Sequence, residues 1–394
     1  MNHILSRREF LAHSGQGIAA LALLSACGTP PSPIPTRAPT LAPSPSPPSM
    51  NLNDRIAQMI LVGFRGFELT PSDDNPIVQD LRERHIGGVV LFDYDVPTQT
   101  RVRNIQSPEQ VKSLCAALQK AATTRLLIAI DQEGGMIARL KERYGFPPTV
   151  SQQYLGSLNN LETTRQHAEA TAKTLAELGI NLNLAPVVDL NTNPDNPIIG
   201  KYERSFSADP TIVTNHALQV IEAHHKHGVL ATLKHFPGHG SSRDDSHLGF
   251  VDVTNTWARA ELEPYARLIA AGQCDAVMTA HIFNANLDPS LPATLSERII
   301  TGLLRDELRF DGVIVSDDMQ MKAISDHYGF ETAIRLAMEA GVDILAIANN
   351  SVFEPDVAAR AIAVIQRLVQ EGRISAARIE QSYQRIMRLK ARLC

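Results

Sequence analysis

Short apolar runs alternate with longer amphipathic stretches along most of this chain. Eight runs read as strands: Ile60–Phe64, Gly88–Phe92, Leu126–Asp131, Leu182–Asp189, Leu230–Phe236, Ala276–His281, Val313–Asp317 and Asp343–Ile347. Their apolar residues are nearly continuous, as expected of parallel strands covered on both faces. Between them, stretches such as Glu109–Ala122, Thr163–Leu178 and Ala258–Ala271 carry helical periodicity. Several close with glycine just before the next run, as at Leu178-Gly179, His227-Gly228 and Ala340-Gly341, where a left-handed residue can end a helix. Eight such alternations predict an α/β fold. A (β/α)8 barrel fits better than an open doubly wound sheet, although the pattern alone admits both.

Polar residues gather at the carboxyl ends of these runs: Asp131, Asp189, Lys234-His235, His281 and Asp317. In a barrel those ends meet on one rim, the rim where active sites lie. The densest cluster is K-H-F-P-G-H-G, Lys234 to Gly240, followed by Asp245-Ser246-His247; a second is Ser316-Asp317-Asp318. Carboxylates and a histidine at strand ends point to acid–base and nucleophilic chemistry. The long loop Asn191 to Pro210 adds Arg204-Ser205-Phe206-Ser207, and an arginine there can fork onto hydroxyl or carbonyl oxygens. The run His224-His225-Lys226-His227 invites a metal reading. It falls at a helix end before a strand, on the face opposite the rim, where cations suit the helix dipole instead. No other grouping has metal-ligand spacing, so neither a metal nor another cofactor is expected.

Composition bounds the rest. The chain has 394 residues, 44% hydrophobic and 20% charged, ordinary for a globular protein and long enough for one barrel. A net charge of -5 and no basic stripe argue against a nucleic-acid partner. No apolar run reaches the ~18 residues that span a bilayer. The amino terminus reads as a leader rather than part of the fold. Ser6-Arg7-Arg8-Glu9-Phe10-Leu11 looks like a twin-arginine export signal, Ile18 to Leu24 supplies its apolar core, and Leu24-Ser25-Ala26-Cys27 resembles a bacterial lipobox in which Cys27 is lipidated. Residues 28–50 hold nine of the chain's 24 prolines and predict an extended tether. The expected organisation is therefore a signal over residues 1–27, a linker over 28–50 and a catalytic domain over 51–394. The product would be exported and held by its lipid alone to the outer face of the bacterial cytoplasmic membrane. Cys115, Cys274 and Cys394 form no disulfide framework.

The motifs K-H-F-P-G-H-G, D-x-H at Asp245–His247, and S-D-D followed by Met319 and Met321 together resemble the glycoside hydrolase family 3 β-N-acetylhexosaminidases. D-Q-E-G-G at Asp131–Gly135, N-x-A-P-V-x-D-L at Asn183–Leu190, R-S-F-S at Arg204–Ser207 and P-A-T-L-S at Pro292–Ser296 support the likeness, which covers essentially all of Asn51 to Cys394. The resemblance implies a single TIM-like barrel that releases terminal β-linked N-acetylglucosamine with retention, from peptidoglycan or chitin fragments. It casts Asp317 as the nucleophile, His247 as general acid/base and Asp245 as its orienting partner. Asp131, Arg139, Arg204, Lys234 and His235 would bind the sugar. The family usually continues D-Q-E-G-G with arginine; this chain has Met136, which puts that position's contribution in doubt.

Retaining glycosidases usually pair two carboxyl groups; here an imidazole would take the second role, with an ordinary pKa close to a working pH. Asp317 must stay ionised to attack, and Lys234 is expected to help by lowering its pKa. Asp318 is expected to face away from Asp317 as a structural residue, and His239 to hold its loop. Other readings remain. A family 3 β-glucosidase would usually follow the nucleophile with tryptophan and draw its acid from a second domain. An N-acetylglucosaminide phosphorylase would use the same residues, and a lipid-anchored solute-binding protein would need no nucleophile.

Overall fold

The computed structural model describes residues 50–70, 75–101 and 103–393. The leader, Cys27, most of the linker and Cys394 lie outside them. Eight parallel strands form one sheet in the order β7-β6-β5-β4-β3-β2-β1-β8. They are β1 Ile60–Gly63, β2 Gly88–Leu91, β3 Leu127–Ile130, β4 Leu182–Asn183, β5 Leu230–Phe236, β6 Ala276–Thr279, β7 Val313–Val315 and β8 Leu345–Ile347. Every strand residue is buried, because side chains fill the inside of the ring while helices cover its outside. The outer edges of the sheet, β7 and β8, meet at a seam. One parallel bridge joins Val315 to Ile344, and Ser316 N donates to Ile344 O at 2.9 Å. Side chains complete it: Ser316 Oγ accepts from Ala346 N at 2.9 Å, and Asp343 Oδ2 accepts from Ile314 N at 3.0 Å. The result is a TIM-like barrel.

Sequence and structure differ most at β4. The run Leu182–Asp189 keeps ladder geometry only over Leu182–Asn183. Pro186 has no N–H to give a neighbouring strand, and beyond it only Val187 pairs again, as an isolated bridge to Lys234. Ala258–Ala271 is likewise broken into a 3-10 turn, Arg259–Leu262, and a helix, Glu263–Ala270, that restarts at Pro264. Asp343 precedes β8 rather than belonging to it; it is buried among Arg305, Arg378, Arg385 and Ser382. Helices Pro108–Ala121 and Leu161–Leu178 match their expected spans within two residues.

One buried charge site works against stability. Lys390, on the last helix Ala376–Lys390, is buried with its ammonium 2.6 Å from Gln58 Oε1. Burial lowers its pKa from 10.5 to about 7. Between those values the unfolded chain binds a proton that the folded chain refuses, so stability falls as the pH drops from 10.5 to 7 and the penalty is complete below 7. Lys390→Met is expected to stabilise the protein by about 2 kcal/mol at pH 6, with the gap closing toward pH 10. Denaturant melts of both proteins at the two pH values check this; an equal gap at both would contradict it.

Candidate active site

The carboxyl ends of the strands open on a cavity of about 280 Å³. Its most polar wall begins where β3 ends. Asp131 and Glu133, two residues apart, point the same way into the cavity. The chain then reverses in a tight hairpin bridged between Gly134 and Ile137. Gly134 has φ 107°, and a Cβ there would lie 2.3 Å from Val150 O, so only glycine fits.

Three cations converge on the two carboxylates. Lys234 Nζ, at the end of β5, is 2.7 Å from Asp131 Oδ1 and 2.8 Å from Glu133 Oε1. Arg204 grips Glu133 with both prongs, Nε to Oε2 at 2.8 Å and Nη2 to Oε1 at 2.7 Å. Arg139 Nη2 reaches Asp131 Oδ2 at 3.2 Å. Burial opposes the charge on Asp131, yet Lys234, Arg139 and Arg204 hold its carboxyl well below the usual range; Glu133 follows the same logic under Arg204 and Lys234. Glu133 was not among the residues expected from sequence. The D-x-E spacing at a strand end was its available signal.

His235 continues the wall. Arg204 Nη2 lies 3.2 Å from His235 Nε2, and a guanidinium can only donate. Nε2 therefore accepts, leaving the Nδ1 hydrogen to point at Asp189 Oδ2, 2.7 Å away. Asp189 Oδ1 also takes the backbone N–H groups of His235 and His239, at 3.1 and 2.8 Å. Asp189 thus orients His235 from behind. All five residues expected to bind sugar stand on one wall, and its cations are paired only because Glu133 joins Asp131 there.

Asp317 lies just past β7. Its Oδ1 accepts from Asp318 N at 2.8 Å. Burial works against its ionisation, but His281, His235, His247 and that N–H together hold the pKa below the ordinary value. Lys234, expected to play this part, is instead engaged by Asp131 and Glu133. His281 is buried, donating from Nε2 to Asp318 O at 2.9 Å, so it supports the segment from beneath. Asp318 does not turn away as strand alternation suggested. The chain has left the ladder by then, and both aspartates line the cavity. Asp318 Oδ1 accepts from Ala348 N and Gln320 N at 2.9 and 3.1 Å, and burial raises its pKa to about 6.

His247 stands on the loop after β5, and its side chain is 59% exposed. Its Nδ1 is 2.8 Å from Asp245 Oδ1, which also accepts the His247 backbone N–H at 2.8 Å. The base of this loop is fixed. A Cβ on Gly240 would lie 1.7 Å from Leu190 O, and the buried His239 ring reaches Ser242 Oγ at 2.7 Å and Ser246 Oγ at 3.3 Å. Burial lowers the His239 pKa to about 4, which suits a neutral ring that ties the loop down. His247 and Asp317 line the same cavity.

In the His224–His227 run one residue departs from the cationic reading of the helix end. His224 is buried between Val220 O and Asn183 Nδ2, and burial lowers its pKa to about 4. His225 pairs with Asp275 at 2.8 Å.

Residues 51–389 match the Glycosyl hydrolase family 3 N terminal domain. Beta-hexosaminidase A of Pseudoalteromonas piscicida is 35% identical over 385 residues, which cover 87% of this chain and 62% of that protein. Beta-hexosaminidase of Xylella fastidiosa strain M23 is 37% identical over 300 residues, 74% of this chain and 83% of the relative. Among solved structures, a glycoside hydrolase family 3 beta-N-acetylglucosaminidase from Paenibacillus sp. str. FPU-7 superposes with a TM-score of 0.79 at 37% identity, covering 87% of this chain and 63% of that one. The Beta-N-acetylhexosaminidase from Beutenbergia cavernae DSM 12333 gives 0.77 at 29% identity, covering 87% and 99%. The chain thus spans less than two thirds of the Pseudoalteromonas and Paenibacillus proteins and most of the other two. With its barrel, its rim of paired charges and these relatives, the chain belongs to glycoside hydrolase family 3, in the branch of the β-hexosaminidases.

Proposed function

We propose that this protein is a retaining exo-β-N-acetylhexosaminidase that removes terminal β-linked N-acetylglucosamine. The observation that carries the reading is one cavity shared by a half-buried Asp317, whose surroundings favour its charged form, a carboxylate-oriented His247 and a wall of paired charges suited to sugar hydroxyls. Asp317 attacks the anomeric carbon as the His247 Nε2–H delivers its proton to the departing oxygen. Asp245, on Nδ1, keeps the ring in the tautomer that presents Nε2 to the substrate and stabilises its charged form. In the second half-reaction the now neutral His247 takes a proton from water, which attacks the same carbon and frees Asp317. Asp131, Arg139, Arg204, Lys234 and His235, with Glu133, hold the sugar's hydroxyl and acetamido groups. These groups are positioned by one another before substrate arrives, so little ordering accompanies binding.

The leader motifs at Arg7-Arg8 and Cys27, with the proline-rich segment 28–50, support a lipid-anchored location outside the cytoplasmic membrane. An exo-enzyme held there would meet peptidoglycan fragments, with chitin oligosaccharides as the other source. A panel of aryl β-GlcNAc, β-GalNAc and β-Glc glycosides, assayed with and without phosphate, tests the activity. The expected result is preferred hydrolysis of β-GlcNAc. Dominant β-Glc turnover would overturn the specificity, and a sugar 1-phosphate product would make the enzyme a phosphorylase. The same assay on membrane and soluble fractions tests the anchor; activity confined to the soluble fraction opposes it.

A further inference from the structure

The cavity also carries apolar side chains at its mouth. After β2 the chain runs out as a short hairpin bridged between Asp95 and Thr100. It lays Tyr94 and Val96 along the cavity edge, 38% and 50% exposed. This ledge is held stiffly. Asn350, in the loop after β8, accepts from Val96 N at 3.2 Å and donates to Tyr94 O at 3.1 Å. Beneath it Asp95 is fully buried against Arg103 at 3.0 Å and Arg65 at 2.8 Å, so the hairpin's ionic groups are paired inward. Leu248, 74% exposed, directly follows His247. Single exposed apolar residues are common on any surface. A rigid apolar pair on the rim of a polar cavity is instead typical of ligand contact.

We propose that Tyr94 and Val96 form the subsite for the leaving half of the substrate and take a second hexopyranose ring, its C–H face against the Tyr94 ring. The inference rests on the hydrolase reading above. The buried wall of paired charges serves the sugar that is cleaved off. The proton donor His247 sits on the solvent side of the cavity, which puts the departing oxygen, and the group it carries, at the mouth. A pyranose has polar edges and apolar faces, so an aromatic ledge fixed in advance binds its face with little loss of freedom. An alkyl or aryl leaving group, or a second copy of this chain, are the competing occupants.

The test compares kcat/KM for the methyl β-glycoside of N-acetylglucosamine, for N,N′-diacetylchitobiose and for the N-acetylglucosaminyl–N-acetylmuramic acid disaccharide. Wild type, Tyr94→Ala and Val96→Ser are measured at equal Tm. In Tyr94→Ala the disaccharide-to-methyl ratio is expected to fall about tenfold, with a smaller fall in Val96→Ser. A fall for one disaccharide only supports the subsite and identifies the natural source. An unchanged ratio for both disaccharides, or equal loss on all three substrates, overturns the subsite while leaving the hydrolase reading intact. A wild type that turns over none of the three overturns both.

Discussion

Replacing Asp317 with asparagine is expected to lower kcat for β-N-acetylglucosaminide hydrolysis by a factor on the order of 10⁴. The amide cannot form a stable bond to the anomeric carbon, so the two-step route closes. The fold should survive. The amide oxygen of the new side chain can still accept from Asp318 N, which now bonds Asp317 at 2.8 Å, and a neutral amide is easier to bury than a carboxylate. Because the Asp317 pKa is depressed in the folded protein, its charge contributes stability above its unfolded pKa and loses it as pH falls through the folded one. The variant should therefore lose less stability on acidification than wild type. Intact-protein mass spectra during turnover supply a second reading: a sugar adduct on wild type and none on the variant. Turnover by Asp317→Asn near the wild-type rate would remove Asp317 from the chemistry.

His247→Ala should lower kcat by a factor of about 10²–10⁴, the usual contribution of a positioned proton donor. The loss depends on the leaving group. A sugar alkoxide needs the proton before it can depart, whereas a nitrophenolate departs nearly unaided. The deficit should thus be severe on chitobiose and mild on an aryl glycoside in the glycosylation step. Removing the imidazole creates no cavity, because the ring is 59% exposed, so stability should hardly move. A loss of the same size on both substrate classes would show that His247 positions the loop without transferring a proton.

Much of this was legible in the chain because parallel barrels write themselves plainly. Strands covered on both faces read as apolar runs, and a polar residue ending such a run has little alternative but the rim; Asp131, Lys234, His235 and Asp317 were found that way. What escaped had physical reasons. Glu133 is fixed by Arg204 and Lys234, roughly 70 and 100 residues away, and no local periodicity encodes such a pairing. Asp318 has the structural part expected of it, holding Ala348 N and Gln320 N, but it lines the cavity beside Asp317 because strand alternation stops at the end of β7. The partner of Asp317 was misassigned because Lys234 has two nearer carboxylates, and competition among charges is set by distances that only the fold defines. The shortness of β4 follows from Pro186, which a hydropathy pattern passes over.

The seam between β7 and β8 gives the S-D-D segment a double duty. Ser316 and Asp318 act as rivets, offering side-chain oxygens to Ala346 and Ala348 where strand pairing runs thin, and Asp317 sits between them. Chemistry and closure of the cylinder are thereby written into three consecutive residues. Natural variation or engineering aimed at new reactivity there would unfasten the scaffold along with the site. The hairpin bearing Tyr94 is fastened through Asp95 alone among its inward side chains, whereas Tyr94 and Val96 stand exposed at the mouth, which leaves those two positions free to diversify.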